Sequence, residues 1–440
     1  MSERWARRVL STYRWTGAAA YPFVGGYLAW RATRGMEDKG RHRERYGRAD
    51  VARPDGPLIW IHAVNDRETV TITALVGRIL ALGINIVLTT GTVSSARIAR
   101  ERLGERVIHQ YVPLDLKPAV SRFLDHWIPD LAIIAESEIW PMTILELGAR
   151  RIPVILVNGR MSDRAYARWR RWPWLAEALL ENLSLVIAQS EQDGERFRTL
   201  GARPVTVSGN LKTDIEPPPV DELELRRVLD QIGSRKRWSA ISTHPGEELA
   251  AGEVHKLIMA RFPDVLTVIM PRDAGRCDAI ETELTALGLN VARRSRRDKV
   301  TGKIHILLCD GQEETGLYHR LSDIAFFGGS LYGEGGENPL DAVMLGAAAL
   351  SGPDFAHYKD IYQPLMNQGG VRLVKDKDML AGAVNFLLRN EEARHRIAKS
   401  GANALETMRG ALDKTVRNLE PFIHPLVVKA RLDSGMRHRR

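Results

Sequence analysis

The chain has 440 residues, 44% of them hydrophobic and 27% charged, with a formal charge of +9 at pH 7. This describes an ordinary globular protein with room for two domains of about 150–200 residues each. Its two cysteines, Cys277 and Cys309, stand far apart, which argues against a disulfide framework and a structural zinc site and fits a reducing compartment.

Residues 1–50 carry eleven Lys/Arg against five Asp/Glu, with Trp5, Tyr13 and Trp15 interleaved among the arginines. The apolar stretch TGAAAYPFVGGYLAW, residues 16–30, is broken by Pro22 and Gly25-Gly26. It falls short of the ~20 apolar residues that a span requires, and no small-residue cleavage site marks a secretory signal. Basic flank, aromatics and short apolar run predict a segment lying in a membrane interface; a helix docked on the protein body is the alternative. Nucleic acid is a poor partner for this charge, because it lies beside an apolar segment and no recognition motif accompanies it.

From residue 51 to 214 strands and helices alternate. LIWIHAV, INIVLTTG, VIHQYVP, DLAIIAES, IPVILVNG and LSLVIAQS read as strands, and VTITALVGRILALG, SSARIARERLG and AVSRFLDHW as helices. Near-continuous Val/Ile/Leu strands joined by helices predict a parallel sheet covered on both faces. IEPPPV, residues 215–220, breaks both periodicities and reads as a linker. The rhythm resumes over 221–440 with RWSAISTH, LTVIMPRD, GLNVARR, KIHILLCD, IAFFGGS, AAALSGP and GVRLV as strands. The fold class is therefore α/β, two Rossmann-like parallel-sheet domains facing across a cleft, where ligands gather at strand carboxyl ends.

Polar residues cluster at those strand ends. Asn65 to Glu68 open a helix after LIWIHAV, where a lone carboxylate is ordinary dipole compensation; His62 ends that strand and has no partner at metal-ligand spacing. Glu136, Glu138 and Trp140 follow DLAIIA, and Asn158 and Arg160 follow the next strand, with Asp115 more weakly placed. In the second half, Ser242 and Thr243 open STHPGEE, a hydroxyl-rich loop suited to an anion, and Arg272 and Asp273 follow IMP. The stretch FFGGSLYGEGGENPLD is strand, glycine-rich loop and helix start, predicted to bring backbone N–H groups and a helix dipole to a phosphate. It holds Gly329, Ser330, Gly335, Gly336, Glu337, Asn338 and Asp341. Its paired glycines are not the GxGxxG spacing of a dinucleotide site. No P-loop, GxSxG elbow, His/Cys metal cluster or DxD-like site stands out, which favours a mechanism without a bound metal; no cofactor is expected.

The motifs WIHAV…E, TTGTVSSA, YVPLD, ESEIWPM, LVNGRMS, SGNLKTD, STHPGEE, IMPRD, FFGGSL, GGENPLDA and SGPDF occur in this order. With RERYG at 43–47, the chain as far as Val374 resembles the Kdo (3-deoxy-D-manno-octulosonic acid) transferases of lipopolysaccharide synthesis, inverting glycosyltransferases of GT-B architecture. The resemblance implies transfer of Kdo from CMP-Kdo to a lipid A precursor at the cytoplasmic face of the bacterial inner membrane, with the N-terminus as membrane foot. By the same resemblance Glu68 is the general base, and Glu136 or Glu138 a second acidic group near the acceptor, beside Trp140, Asn158 and Arg160. Ser242, Thr243, Arg272, Asp273, Gly329, Ser330, Gly335, Gly336, Glu337, Asn338 and Asp341 fall on the donor side. The chain departs from the family pattern where Asn65-Asp66-Arg67 replace Ser-Val-Gly, Asp273 and Glu337 replace histidines, and Asp341 replaces a glutamate. Arg67 for glycine is expected to fill space near the base, and two carboxylates for two potential cations to weaken binding of an anionic donor. A catalytically impaired paralogue with a binding or scaffolding role at the membrane is the alternative reading.

Overall fold

The structure, a computed structural model, describes residues 24–311 and 314–437. The expected membrane-interface segment therefore lies largely outside the described residues, which begin with the helix Val24–Thr33. No helix among the described residues is long and apolar enough to cross a membrane.

The chain divides into two compact units, 1–215 together with 409–440, and 216–408. The first sheet contains β1 (Leu58–Ala63), β2 (Asn85–Thr90), β3 (Ile108–Tyr111), β4 (Leu131–Ala135), β5 (Val154–Gly159), β6 (Leu185–Ala188) and β7 (Val205–Val207). The second contains β8 (Arg237–Thr243), β9 (Leu266–Pro271), β10 (Val291–Arg293), β11 (Ile306–Leu308), β12 (Ile324–Phe327), β13 (Ala348–Ser351) and β14 (Val371–Leu373). Their orders are β3-β2-β1-β4-β5-β6-β7 and β10-β11-β9-β8-β12-β13-β14, and the strands pair in parallel. The runs read from sequence as strands are buried on both faces, fully so in β1, β4, β5 and β12, which is why they carry no polar alternation. β7 was not anticipated: three half-buried residues at a sheet edge are too short to show a period.

In each sheet the order reverses beside the first strand. β1 lies between β2 and β4, and β8 between β9 and β12. Crossovers on either side diverge at such a point and leave a crevice at the carboxyl ends. The residues just past β1 and β4, and just past β8 and β12, are therefore the ones each fold exposes to a ligand.

The C-terminal segment corrects the expected second domain of 221–440. Residues 409–440 belong to the first unit. The helix Ala411–Arg437 sets Leu419 and Ile423 into the core formed by β1, β2 and the helix Asp66–Leu80; each such side chain contributes about 1.5–3 kcal/mol by leaving water. The Asp214 carboxylate accepts from the N–H groups of Gly410 (2.9 Å) and Leu412 (2.6 Å) at its start.

RERYG fastens the N-terminal segment to the first sheet. The buried Arg45 guanidinium holds Glu37 through two bonds (3.0 and 3.1 Å) and donates to the Gly91 carbonyl (2.5 Å). Gly47 turns the chain at φ 75°, and a Cβ there would lie 2.0 Å from the Ala119 carbonyl oxygen, so only glycine fits.

Candidate active site

In the first unit β1 delivers the chain to Asn65, which caps the helix Asp66–Leu80. Asn65 Oδ1 accepts from the Glu68 N–H (3.0 Å), while Asn65 Nδ2 donates to Glu68 Oε1 (2.7 Å). Glu68 Oε2 accepts from the Val64 N–H (2.8 Å). The carboxylate is thus gripped at both oxygens, and the residue is only 3% exposed. Burial pushes its pKa up to about 8; the charges of Glu136 and Glu138 add to the rise, and the bonds from Val64 and Asn65 oppose it. The charged form of Glu68 is disfavoured by its surroundings, so once ionised it binds a proton more tightly than an ordinary carboxylate. Arg67 does not crowd it as expected: Arg67 is exposed and helical, so no left-handed conformation is demanded there. Asp66 turns away to accept from the hydroxyls of Thr92 (3.0 Å) and Ser94 (2.7 Å).

The next two strand ends bring further polar groups. Glu136, just past β4, and Asn158, in β5, hold left-handed φ angles of 55° and 52°. For residues with a Cβ this costs about 1–2 kcal/mol each, and such strain collects at functional sites. Glu136 Oε1 pairs with Lys212 Nζ at 2.6 Å. Asn158 Oδ1 accepts from the Leu211 N–H (2.9 Å), fixing the turn that carries the lysine, and its Nδ2 lies 3.5 Å from Glu136. The Arg160 N–H donates to the Glu136 carbonyl (3.3 Å). Glu138 accepts from Trp140 Nε1, and burial raises its pKa against that bond. Trp140 stands edge-on to His62 at 5.6 Å. His62 is buried, and burial holds its pKa down at about 4, so it is neutral. Its Nδ1 meets Thr89 Oγ1 (2.9 Å) and its Nε2 has no partner among the described residues. Asp115 is structural: it accepts from Met142 and Thr143 and so caps the helix Pro141–Ala149 that follows Trp140.

In the second unit the glycine-rich loop departs from expectation. Its N–H groups, expected to face a phosphate, face Glu247 instead. Glu247 Oε2 accepts from His244 (2.9 Å) and Gly329 (2.7 Å), and Oε1 from Ser330 and Leu331 (both 3.1 Å). The Ser330 hydroxyl is engaged too, donating to the Phe327 carbonyl (2.5 Å) and accepting from the Gly352 N–H (2.8 Å). The Thr243 hydroxyl donates to Glu248 (3.1 Å), which Arg276 holds through two bonds. The Gly335 N–H donates to Asp354 (2.8 Å), and Gly336 to the Gly329 carbonyl (2.8 Å). The helix whose start was expected at the end of FFGGSLYGEGGENPLD spans only Leu340–Met344, with Asn338 Oδ1 accepting from the Leu340 N–H (3.2 Å). A five-residue helix offers little dipole.

Other groups stand at the rim. Ser242 is half-buried at φ 53°. Arg272 is exposed, its Nε 3.4 Å from Glu337 Oε1, and His244 Nε2 lies 3.2 Å from the same oxygen. Glu337 is thus held between two basic groups. Asp273 is exposed and caps a short turn through the Gly275 N–H (2.9 Å). Asp341 Oδ2 is 3.9 Å from His319 Nε2. Sequence reasoning missed Lys212, Glu247 and His244 as site residues; each stood inside a quoted motif, but its partner is remote in the chain.

A family model described as 3-deoxy-D-manno-octulosonic-acid transferase (kdotransferase) matches residues 40–215. The chain is 31% identical over 400 residues to the 3-deoxy-D-manno-octulosonic acid transferase of Haemophilus influenzae, covering 87% of this chain and 92% of that protein. It is 32% identical over 414 residues to a probable mitochondrial enzyme of the same name from Arabidopsis thaliana, covering 91% and 92%. Among solved structures, a glycosyltransferase from Rickettsia africae superposes with TM-score 0.58 at 10% identity, covering 84% of this chain and 99% of that one. Anabaena HepE in complex with UDP gives 0.54 at 11% identity, covering 83% and 99%.

Proposed function

We propose a reaction for this chain on one premise: it belongs to the Kdo transferase family, and it is a glycosyltransferase with the GT-B fold class. The reaction is inverting, metal-independent transfer of Kdo, or a related sugar acid, from CMP-Kdo to a lipid A precursor. It takes place at the cytoplasmic face of a bacterial inner membrane and belongs to lipopolysaccharide synthesis.

The observation that carries this reading is Glu68. A buried carboxylate at the switch point of its sheet, fixed at both oxygens and raised in proton affinity, suits a general base. In its ionised form it takes the proton of the acceptor hydroxyl as that oxygen attacks the anomeric carbon. The bond from that carbon to the CMP phosphate breaks, the electron pair leaves with the phosphate, and the configuration inverts. Glu136, Glu138, Trp140, Asn158 and Arg160 surround the acceptor. Ser242, Arg272, Glu337, Asn338 and Asp341 line the donor side through side chains, whereas the Gly329–Ser330 loop acts through its shape, since Glu247 occupies its N–H groups.

The test is incubation of purified protein with CMP-Kdo and a tetraacylated lipid A precursor without added metal, read by mass spectrometry of the lipid. A mass gain of one or more Kdo units is expected; its absence while Glu68→Gln and wild type bind CMP-Kdo alike would turn the reading to the second one. That second reading is an impaired paralogue that binds without turnover. Glu337 favours it, because the carboxylate already engages Arg272 and His244, two groups that an anionic donor would use.

A further inference from the structure

The second sheet carries a basic cavity at its amino edge, opposite the edge that holds the glycine-rich loop. Its volume is about 160 Å³. Arg235, Lys236 and Arg237 line it where β8 begins, and Asp323 just before β12. Leu388 and Arg394 close it from the helices Lys377–Arg389 and Glu391–Met408. β8 and β12 pair in parallel with Ser239 opposite Ala325, so Arg237 and Asp323 open neighbouring strands. The lining thus sets four cations against one carboxylate.

Basic residues on a solvated face would need no explanation, but two of these guanidinium groups are withdrawn from water. Arg237 is half-buried, and its Nε–H is sealed from solvent with no acceptor among the described residues. The Arg394 side chain is 14% exposed, and its Nε–H is orphaned in the same way. Its carboxylate neighbours, Asp323 at 3.9 Å and Glu391 at 3.6 Å, stand mostly in water and beyond hydrogen-bond reach. Arg235 gives its donors to the carbonyls of Asp264 (2.7 Å), Val265 (3.1 Å), Thr301 (3.0 Å) and Ile304 (2.6 Å), so no carboxylate is bonded to it. Withdrawing a cation from water without a bonded partner is costly. An oxyanion supplies the acceptors that convergent guanidinium groups fit best.

We propose that this cavity binds a phosphate-class oxyanion, either the free ion or the phosphoryl group of a small soluble ester, with Arg237 and Arg394 as its principal donors. The size agrees. The cavity equals the share of about five waters at ~30 Å³ each, enough for the five heavy atoms of a phosphate and well below the ~300 Å³ at which pockets for larger ligands begin. The site is separate from the candidate donor side. β8 runs from Arg237 to Thr243, and at ~3.3 Å per residue that places the two ends about 20 Å apart. The inference does not rest on the proposed transfer reaction.

The test is isothermal titration calorimetry of the full chain with inorganic phosphate and, in parallel, with glycerol 3-phosphate, at constant ionic strength. One site per chain is expected, and the tighter of the two probes identifies the source as free ion or ester. Arg237→Gln and Arg394→Gln are each expected to weaken binding about 10- to 100-fold. Lys236→Ser, at an exposed side chain, costs up to about fivefold, and a control changed to Ser at the exposed Arg226 and Lys303 binds as wild type does. Without phosphate the two glutamine variants are expected to melt no lower than wild type, because each removes a poorly paired charge; this separates loss of binding from loss of folding. Failure of wild type to bind either probe at a single site overturns the proposal. So does binding that Arg272→Gln abolishes and Arg237→Gln leaves intact, which would move the anion to the donor side.

Discussion

Replacing Glu68 by Gln separates the proposed chemistry from the electrostatics that prepare it. In the wild-type protein burial, helped by Glu136 and Glu138, lifts the Glu68 pKa from an ordinary 4.5 to about 8. The folded state therefore holds a proton between those values that the unfolded chain releases. For a raised pKa, the stability contribution is complete below pH 4.5 and is lost as pH climbs through the folded value. The slope is about 1.4 kcal/mol per pH unit, so the whole window is worth on the order of 5 kcal/mol, as an upper bound. The glutamine side chain of the variant does not titrate. Its amide keeps one acceptor for Val64 or Asn65 and loses the other, a cost of about 1 kcal/mol that does not depend on pH. Denaturant unfolding at pH 5, 6, 7 and 8 is thus expected to show the variant gaining on wild type at each step, the other carboxylates cancelling. Turnover moves the other way: wild-type kcat/KM rises tenfold per pH unit and levels near pH 8, while the variant falls by about 10²–10⁴. Parallel stability curves from pH 5 to 8 would refute the buried, proton-holding Glu68, and undiminished turnover by the variant would remove it as the base.

Three further outcomes follow from named contacts. Glu138→Gln keeps the acceptor for Trp140 Nε1 but removes a charge that raises the Glu68 pKa, so the rising limb of the pH–rate profile is expected to move toward lower pH. Glu247→Gln leaves one oxygen facing four N–H donors; losing charge-assisted bonds worth about 2–4 kcal/mol in total is expected to lower the Tm by roughly 5–10 °C and to raise the KM for the donor, and an unchanged Tm by calorimetry would contradict the bonding described. Leu419→Ala opens a cavity where the C-terminal helix enters the first core; a loss of about 2–5 kcal/mol in denaturant unfolding is expected, and a loss under about 1 kcal/mol would show that helix to be peripheral.

The strands were legible because parallel strands covered on both faces must be apolar throughout, and the run of Val, Ile and Leu in β1, β4 and β5 says so directly. The strand ends were legible as candidate positions for the same reason: Glu136, Glu138 and Asn158 interrupt the apolar pattern at the place where a parallel sheet presents its loops. What stayed hidden is pairing over distance. Lys212 meets Glu136 across more than seventy residues, and the start of the helix Ala411–Arg437 bonds to Asp214, far back in the chain. A single sequence shows none of these separations as a pattern.

Glu68 and Glu247 bring this limit to a point. Each is a glutamate in the first turn of the helix that follows the first strand of its sheet, a position where a carboxylate commonly does no more than compensate the helix dipole. Glu247 is surrounded by four N–H donors, three of them from a loop some eighty residues on, so its charge is spent on holding the glycine-rich loop in shape. Glu68 receives one N–H from its own turn and one from the Asn65 amide, and beyond them faces two more carboxylates. A carboxylate satisfied by donors is a structural clamp; one under-supplied with donors and crowded by like charge is a base. The difference lies in what the rest of the fold brings to the same local position, and it is the reason Glu68 carries the proposed chemistry while Glu247 does not.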